Sequence, residues 1–138
     1  KPSIVAGGGS PEAYLATELN EWAGSSDGRE QLAIKQYAEA LESIPLTIAE
    51  NAGMDPIDSL ITLRANQSNG KQTVGINARE GKIGNMFSLD IVEPLAVKEQ
   101  IIKSATEVAC MILRIDDVIA VSGGPGAGGP PPGMPPMG

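Results

Sequence analysis

The chain has 138 residues, about one domain's worth, with 17 acidic and 10 basic side chains and a formal net charge of −7. That negative charge argues against nucleic-acid binding, which needs clustered Lys and Arg, and against binding to an anionic membrane surface. The longest apolar run, Val108–Leu113, is far shorter than the roughly 20 residues of a membrane span. A single cysteine and no histidine exclude an intramolecular disulfide and a Cys- or His-based metal site, and a reducing cytoplasm fits this composition best.

Glycine and proline are concentrated at the end of the chain. Residues 123–138 contain seven Gly, six Pro, one Ala and two Met and carry no charge, a composition that cannot build an apolar core. Residues 1–122 have ordinary Gly and Pro usage and hold every charged side chain. We therefore predict a folded body over residues 1–122 and a disordered tail over 123–138. The first residue, Lys1 rather than Met, indicates a processed chain or a piece of a longer one.

The first half of the body has the apolar spacing of three helices, predicted over residues 10–24, 29–51 and 55–67. Ser10 is expected to cap the first helix, and Pro45 should break or kink the second. The predicted apolar stripes are, in chain order, Leu15, Leu19 and Trp22; Leu32, Tyr37, Ala40, Leu41 and Ile44; and Ile57, Leu60, Ile61 and Arg64.

The pattern changes at residue 72. Short apolar stretches within residues 72–89 are interrupted by glycines, which predicts two short strands or a glycine-bent hairpin. The longest helix is predicted from Pro94 to about Arg114, with Asp116-Asp117 ending its pattern. Residues 118–121 are β-prone and are predicted as a terminal strand. The predicted fold class is thus mainly α, with a small β element before the last helix.

Two glycine-marked segments are candidates for ligand binding. Gly7-Gly8-Gly9 precedes a helix start, where residues without Cβ let the backbone approach a phosphate or sugar; a hinge or tight turn explains the same residues. Asn77-Ala78 leads towards Glu93 at the foot of the last helix. An Asn side chain suits a purine edge and a carboxylate suits ribose hydroxyls, although Glu93 could equally serve only to neutralise the helix dipole.

Other candidates for chemistry have simpler explanations. Asp55 and Asp58 are interpreted as caps of the third helix, without the supporting groups of an acid–base site. Cys110 is interpreted as a packed thiol, because the chain has no histidine to act as its base. No residue is therefore predicted to be catalytic or to bind a metal, and composition and spacing alone leave the function open.

A series of motifs nevertheless occurs in one order along the chain: Ala6–Glu12, Gly28–Ile34, Ala49–Asp58, Gly75–Ala78, Val92–Lys98 and Ile112–Ile119. Together they resemble the C-terminal part of a group II chaperonin subunit, the archaeal thermosome and eukaryotic cytosolic type. The resemblance covers residues 3–122, and the Gly/Pro/Met-rich tail is similar to those that close archaeal thermosome subunits.

This resemblance implies the C-terminal portion of a chaperonin equatorial domain, with ATP or ADP as cofactor. Subunits of the family assemble as two stacked rings that encapsulate unfolded proteins and close their lid by ATP hydrolysis. By resemblance, Gly7, Gly8 and Gly9 pass close to the nucleotide, Asn77 and Ala78 sit at the adenine, Glu93 holds the ribose hydroxyls, and Lys98 helps to position Glu93 or the ribose.

The chain also departs from the family pattern. The phosphate-binding loop, the Asp that activates water and the apical substrate-binding segment have no counterpart in it, so Mg²⁺ is expected to be held by residues outside this segment. The isolated chain is expected to have negligible ATPase activity and to be molten or oligomeric. The partners implied are other chaperonin subunits, through the strand at 118–121, and unfolded proteins. A nucleotide-independent helical assembly or interaction module is the alternative.

Overall fold

The structure, a computed structural model, describes the backbone of residues 2–122 and the side chains of residues 2–115. It divides into two compact units, Lys1–Lys98 and Glu99–Gly138, and the first unit contains all seven predicted site residues. The predicted mainly α fold with a small β element is confirmed. In chain order the elements are β1 (Ile4–Ala6), α1 (Ser10–Ala23), α2 (Gly28–Asn51), α3 (Pro56–Ser68), β2 (Val74–Asn77), β3 (Lys82–Asn85), β4 (Val92–Pro94) and α4 (Leu95–Ser122).

The helices of the first unit pack through small side chains. α1 lies along α2, and the fully buried residues of the two helices are largely alanines, because methyl-sized side chains let helix axes approach closely. Leu63 of α3 and Val74 of β2 extend this core towards the hairpin. The buried alanines are Ala13, Ala16 and Ala23 on α1 and Ala38 and Ala49 on α2.

The apolar stripes predicted from the sequence are only partly buried. Leu41 and Leu60 are in the core, but most of the largest apolar side chains of the stripes are exposed. The helices turn their alanine-rich faces inward instead. The exposed stripe residues are Leu15, Trp22, Leu32, Tyr37, Ile57 and Ile61.

Pro45 lies inside α2, so of the two predicted outcomes, a break or a kink, the break does not occur. α2 continues through it from Gly28 to Asn51, although a proline inside a helix has no N–H to donate to the preceding turn. Pro45 is buried and lies against Gly9, where an added Cβ would stand 2.7 Å from the Pro45 Cβ atom. The start of α1 thus packs against Pro45 of α2.

Two antiparallel pairs of strands complete the first unit. β2 and β3 form the predicted hairpin, with Ile76 opposite Ile83. β1 and β4, which the sequence did not predict as strands, pair with Val5 opposite Glu93. This second pair joins the segment before α1 to the segment before α4.

The described part of the second unit is helical. α4 extends to Ser122, so the predicted end near Arg114, the break at Asp116-Asp117 and the terminal strand at 118–121 are wrong. A helix satisfies its own backbone hydrogen bonds, whereas a strand needs a second strand beside it, and no described strand pairs with residues 118–121. Cys110 is exposed rather than packed. Along the described chain no helix is long and apolar enough to cross a bilayer, and the predicted tail, 123–138, lies outside the described residues.

Candidate functional site

The glycine loop, residues 7–9, is held between two other segments of the chain. The Gly7 N–H donates to the Ile91 carbonyl at 2.9 Å, and the Gly8 carbonyl accepts from the Ile76 N–H at 2.9 Å. Gly8 and Gly9 have φ values of 65° and 74°, in the left-handed region that favours glycine. The loop therefore brings the start of α1 against β2 and against the residue that precedes β4.

The absent Cβ atoms of this loop make room for the protein itself. A Cβ on Gly7 would stand 2.8 Å from the Ile91 side chain, and one on Gly8 would stand 2.6 Å from the Ile76 carbonyl oxygen. A Cβ on Gly9 would meet Pro45, as described above. Close packing of the loop is thus one reason for these glycines, beside the predicted close approach to a ligand, and only Gly8 of the three borders open space.

That open space is a cleft of about 590 Å³, within the usual size range of small-molecule sites. It is bordered by three of the predicted site residues, Gly8, Asn77 and Ala78, from segments far apart in the sequence. Gly7, Gly9, Glu93 and Lys98 are not among its lining residues. The rest of the lining, which the sequence did not indicate, is apolar at Ile48, Ile76, Leu89 and Ile91 and charged at Arg79, Glu80 and Asp90.

Asn77 has a structural role in the β2–β3 hairpin. Its side-chain oxygen accepts the N–H groups of Arg79 at 3.2 Å and Glu80 at 3.3 Å, which closes the turn of the β2–β3 hairpin. These two bonds identify the oxygen, since only it can accept them. Both side-chain bonds of Asn77 among the described residues use its oxygen, so Asn77, which lines the cleft, retains an amide donor that a ligand could use.

Glu93 and Lys98 belong to an ion cluster that also includes Glu12. The Lys98 ammonium lies 2.7 Å from Glu93 Oε2 and also contacts Glu12 Oε1. Glu12 is completely buried, whereas the side chains of Lys98 and Glu93 are 11% and 40% exposed. Burial alone would lower the pKa of Lys98, but the hydrogen bonds to Glu12 and Glu93 raise it above its ordinary value. Lys98 therefore remains charged at neutral pH.

The start of α1 also differs from the prediction. Ser10 does not cap the helix: Gly9 occupies the cap position without a side-chain bond, and the Ser10 hydroxyl donates to the Gln72 carbonyl at 2.9 Å. Glu12, whose charge favours the start of a helix, is the buried partner of Lys98. The signal for its burial was its position four residues before Ala16, on the small-residue face of α1.

A second cleft, of about 780 Å³, lies between α3 and the β2–β3 hairpin. Thr62, Asn66 and Lys71 contribute to its lining, and none of the predicted site residues does. Among the described residues, no group of three or more His, Cys, Asp or Glu side chains could hold a metal ion. The 590 Å³ cleft is therefore the candidate site.

Comparison with known proteins gives one consistent result. A model of the TCP-1/cpn60 chaperonin family matches residues 1–122. The chain is 49% identical over 146 residues to thermosome subunit alpha of Sulfolobus acidocaldarius, with 98% of this chain and 26% of that protein covered. It is 56% identical over 117 residues to thermosome subunit alpha of Halobacterium salinarum, with 85% and 21% covered.

A solved structure is similar as well. The open-state monomer of a group II chaperonin from Methanococcoides burtonii matches with a TM-score of 0.78 and 47% identity, over 80% of this chain and 28% of that one. The resemblance to group II chaperonins found in the sequence motifs is thus confirmed. The chain spans about a quarter of the length of the curated relatives that it matches.

Proposed function

The chain belongs to the TCP-1/cpn60 chaperonin family, and on that premise we propose that it forms the nucleoside-facing part of an ATP site in the equatorial domain of a group II chaperonin subunit. The observation that carries the proposal is that Gly8, Asn77 and Ala78 line one cleft of suitable size. The whole subunit would assemble with other chaperonin subunits in a double ring in the cytoplasm and would use ATP to encapsulate and fold non-native proteins.

The cleft has the chemistry that a purine nucleoside requires. Apolar side chains, among them Ile48 and Ile91, would cover the faces of the base. The amide nitrogen of Asn77 would donate to an acceptor on the edge of the base, while the small Ala78 and the backbone of Gly8 leave space. Such a site, mostly apolar with a few placed polar groups, is typical of small-molecule binding.

Glu93 would reach the sugar from the edge of this cleft. Ile91 borders the cleft, and Glu93 follows it by two residues, which is at most about 7 Å of extended chain. Lys98 holds Oε2 of Glu93, which leaves Oε1 as the second oxygen of this carboxylate. That oxygen would accept hydrogen bonds from the ribose hydroxyls.

The phosphates and Mg²⁺ are assigned to other parts of the subunit. The chain carries a net charge of −7, and the one basic residue in the lining of the cleft, Arg79, is accompanied by Glu80 and Asp90. Phosphoryl transfer depends on positioned cations and a bound metal, and the described residues offer no carboxylate cluster for one. This segment would therefore bind and orient the nucleoside, and hydrolysis would require the remainder of the subunit.

The test uses a hybrid subunit, defined as the Methanococcoides burtonii chaperonin subunit in which this chain replaces the matching segment. Titration calorimetry would compare ADP with 2′,3′-dideoxy-ADP. We predict that Glu93→Ala weakens ADP binding by roughly tenfold or more, because a hydrogen bond to a charged group contributes about 1.5–3 kcal/mol. Binding of the dideoxy nucleotide should change less than twofold.

The matched control is Glu39→Ala, which removes an exposed carboxylate from α2 and should leave both affinities unchanged. Equal weakening of ADP by the Glu93 and Glu39 variants would remove the role assigned to Glu93. A hybrid subunit that assembles but binds no nucleotide would favour the alternative, a nucleotide-independent assembly module.

A further inference from the structure

We propose that Glu12 is a positioning residue of the nucleotide site, which acts on Glu93 through Lys98; this inference rests on the function proposed above. Lys98 contacts both carboxylates, and an ammonium group has three N–H donors, enough to serve both at once. Glu12 would itself make no contact with the nucleotide. Its effect would be to fix Lys98, and through Lys98 the side chain of Glu93.

Glu12 is an unusual residue to bury for packing alone. Its side chain has no exposed area, and one of its oxygens, Oε2, has no hydrogen-bond partner among the described residues. A buried carboxylate is costly, and a buried ion pair is often no more stable than an apolar replacement of similar size. A contribution to stability therefore gives little reason for a glutamate at this buried position. Its ability to orient a charged partner gives a better one.

Lys98 transmits that orientation because it has little freedom of its own. Its side chain is largely buried, while Glu93 is much more exposed and would adopt several rotamers if nothing held it. With Oε2 of Glu93 bound to Lys98, Oε1 is presented in one direction before the ligand arrives. Such preorganisation strengthens binding by removing the entropy cost of ordering the side chain.

The arrangement also connects the two sides of the proposed site. Glu12 lies in the first turn of α1, directly after the glycine loop, and Glu93 lies in β4, which pairs with β1 just before that loop. Both the glycine loop and the carboxylate proposed to bind the ribose are thus connected to the first turn of α1. The connections are the Glu12–Lys98–Glu93 cluster and the β1–β4 pair.

The test measures hydroxyl selectivity in the hybrid subunit, the ratio of the dissociation constants for 2′,3′-dideoxy-ADP and ADP. Glu12→Gln should lower this ratio by about threefold to tenfold, the range expected from losing the order of one rotamer-rich side chain. Binding of the dideoxy nucleotide should stay within about twofold of the unmodified hybrid, since it makes no use of Glu93. The control is Glu21→Gln, an exposed position on the same helix, which should leave the ratio unchanged.

A second variant keeps the test decisive if Glu12→Gln folds poorly. The double variant Glu12→Gln/Lys98→Met removes both buried charges together, so that no unpaired charge remains in the interior. It should lose selectivity to the same extent as Lys98→Met alone, because Glu12 acts only through Lys98. Equal weakening of both nucleotides, or an unchanged ratio in the double variant while Glu93→Ala abolishes selectivity, would overturn the role of Glu12 and leave the proposed function intact. Absence of selectivity in an unmodified hybrid that binds ADP would overturn the roles of both Glu12 and Glu93, and absence of ADP binding would overturn the proposed function itself.

Discussion

Asp90 is the only residue other than glycine that has a positive φ among those the structure describes, at 55°, and it lies in the wall of the candidate cleft. The left-handed region costs a residue with a Cβ about 1–2 kcal/mol, although Asp tolerates it better than most. We predict that Asp90→Gly is more stable than Asp90→Ala by about 1 kcal/mol, the reverse of the usual order of these two residues.

Amide hydrogen exchange in the peptide around residue 90 of the hybrid subunit would report this difference, because exchange measures local opening free energies. The Glu39→Ala variant of that subunit serves as the reference. Protection in Asp90→Ala equal to that in Asp90→Gly would show that the backbone at this position is not left-handed.

At the same scale, the sequence indicated which residues belong to the candidate site better than it indicated the contacts that these residues make. The motifs assigned Gly8, Asn77 and Ala78 to one ligand, and the structure places all three at one cleft. The local contacts were beyond reach: the sequence did not show that Asn77 closes a hairpin turn, or that the space beside Gly8 is taken by Ile76. These contacts depend on which distant segments pack together, and local sequence patterns do not predict that packing.

At the scale of elements, the helices of the first unit were predicted closely but their buried faces were not. α3 begins and ends within one residue of its prediction, and Asp55 caps it by accepting the Asp58 N–H at 2.9 Å. Capping and helical period are local signals. Which face of a helix is buried depends on its neighbours, and α1 buries Ala13 and Ala16 while the larger Leu15 remains exposed.

The contact between α1 and α2 at Gly9 gives a prediction at this scale. Gly9→Ala should destabilise the segment more than Gly53→Ala, although the two glycines have nearly the same φ, 74° and 75°. An added Cβ at Gly9 would stand 2.8 Å from the Pro45 Cα atom, whereas at Gly53 nothing lies within 4 Å. Gly53→Ala should therefore cost only the left-handed strain of about 1–2 kcal/mol, and Gly9→Ala should add the cost of displacing α2.

Hydrogen exchange of α1 and α2 peptides in the hybrid subunit is the measurement, and Gly53→Ala is the matched control. Loss of protection should spread through both helices in Gly9→Ala and stay near the end of α2 in Gly53→Ala. If the two variants lost equal protection, the start of α1 would not rest on Pro45.

At the scale of the whole molecule, the features that the sequence missed are those that depend on distant parts of the chain. The β1–β4 pair joins two strands of three residues each across most of the first unit, and strands this short have no detectable period. The error at residues 118–121 has the related cause that β propensity is weak and depends on a neighbouring strand. The resemblance to a known family supplied what local patterns could not, because it predicts that this segment belongs to a larger domain.

The exposed faces of the helices lead to the last prediction, which concerns the isolated chain. Ile57 and Ile61 lie one helical turn apart on α3 and are 60% and 56% exposed. Residues at this spacing are neighbours on one face of a helix, so the two side chains form a continuous apolar surface. Surfaces of this kind drive association, and we expect the isolated 138-residue chain to be oligomeric or molten. Light scattering after size-exclusion chromatography would give its mass, and binding of a hydrophobic dye would report loose packing.

The double variant Ile57→Lys/Ile61→Lys should shift the isolated chain towards monomer, because two charges on this face oppose its burial. The control Glu18→Lys/Glu21→Lys changes the net charge more, but at exposed positions of a different helix, α1, and it should leave the mass unchanged. A monomer that binds no dye and unfolds in one sharp transition would contradict the prediction. It would mean that the alanine-lined core of α1 and α2 suffices for folding and that these helix faces do not need a covering segment.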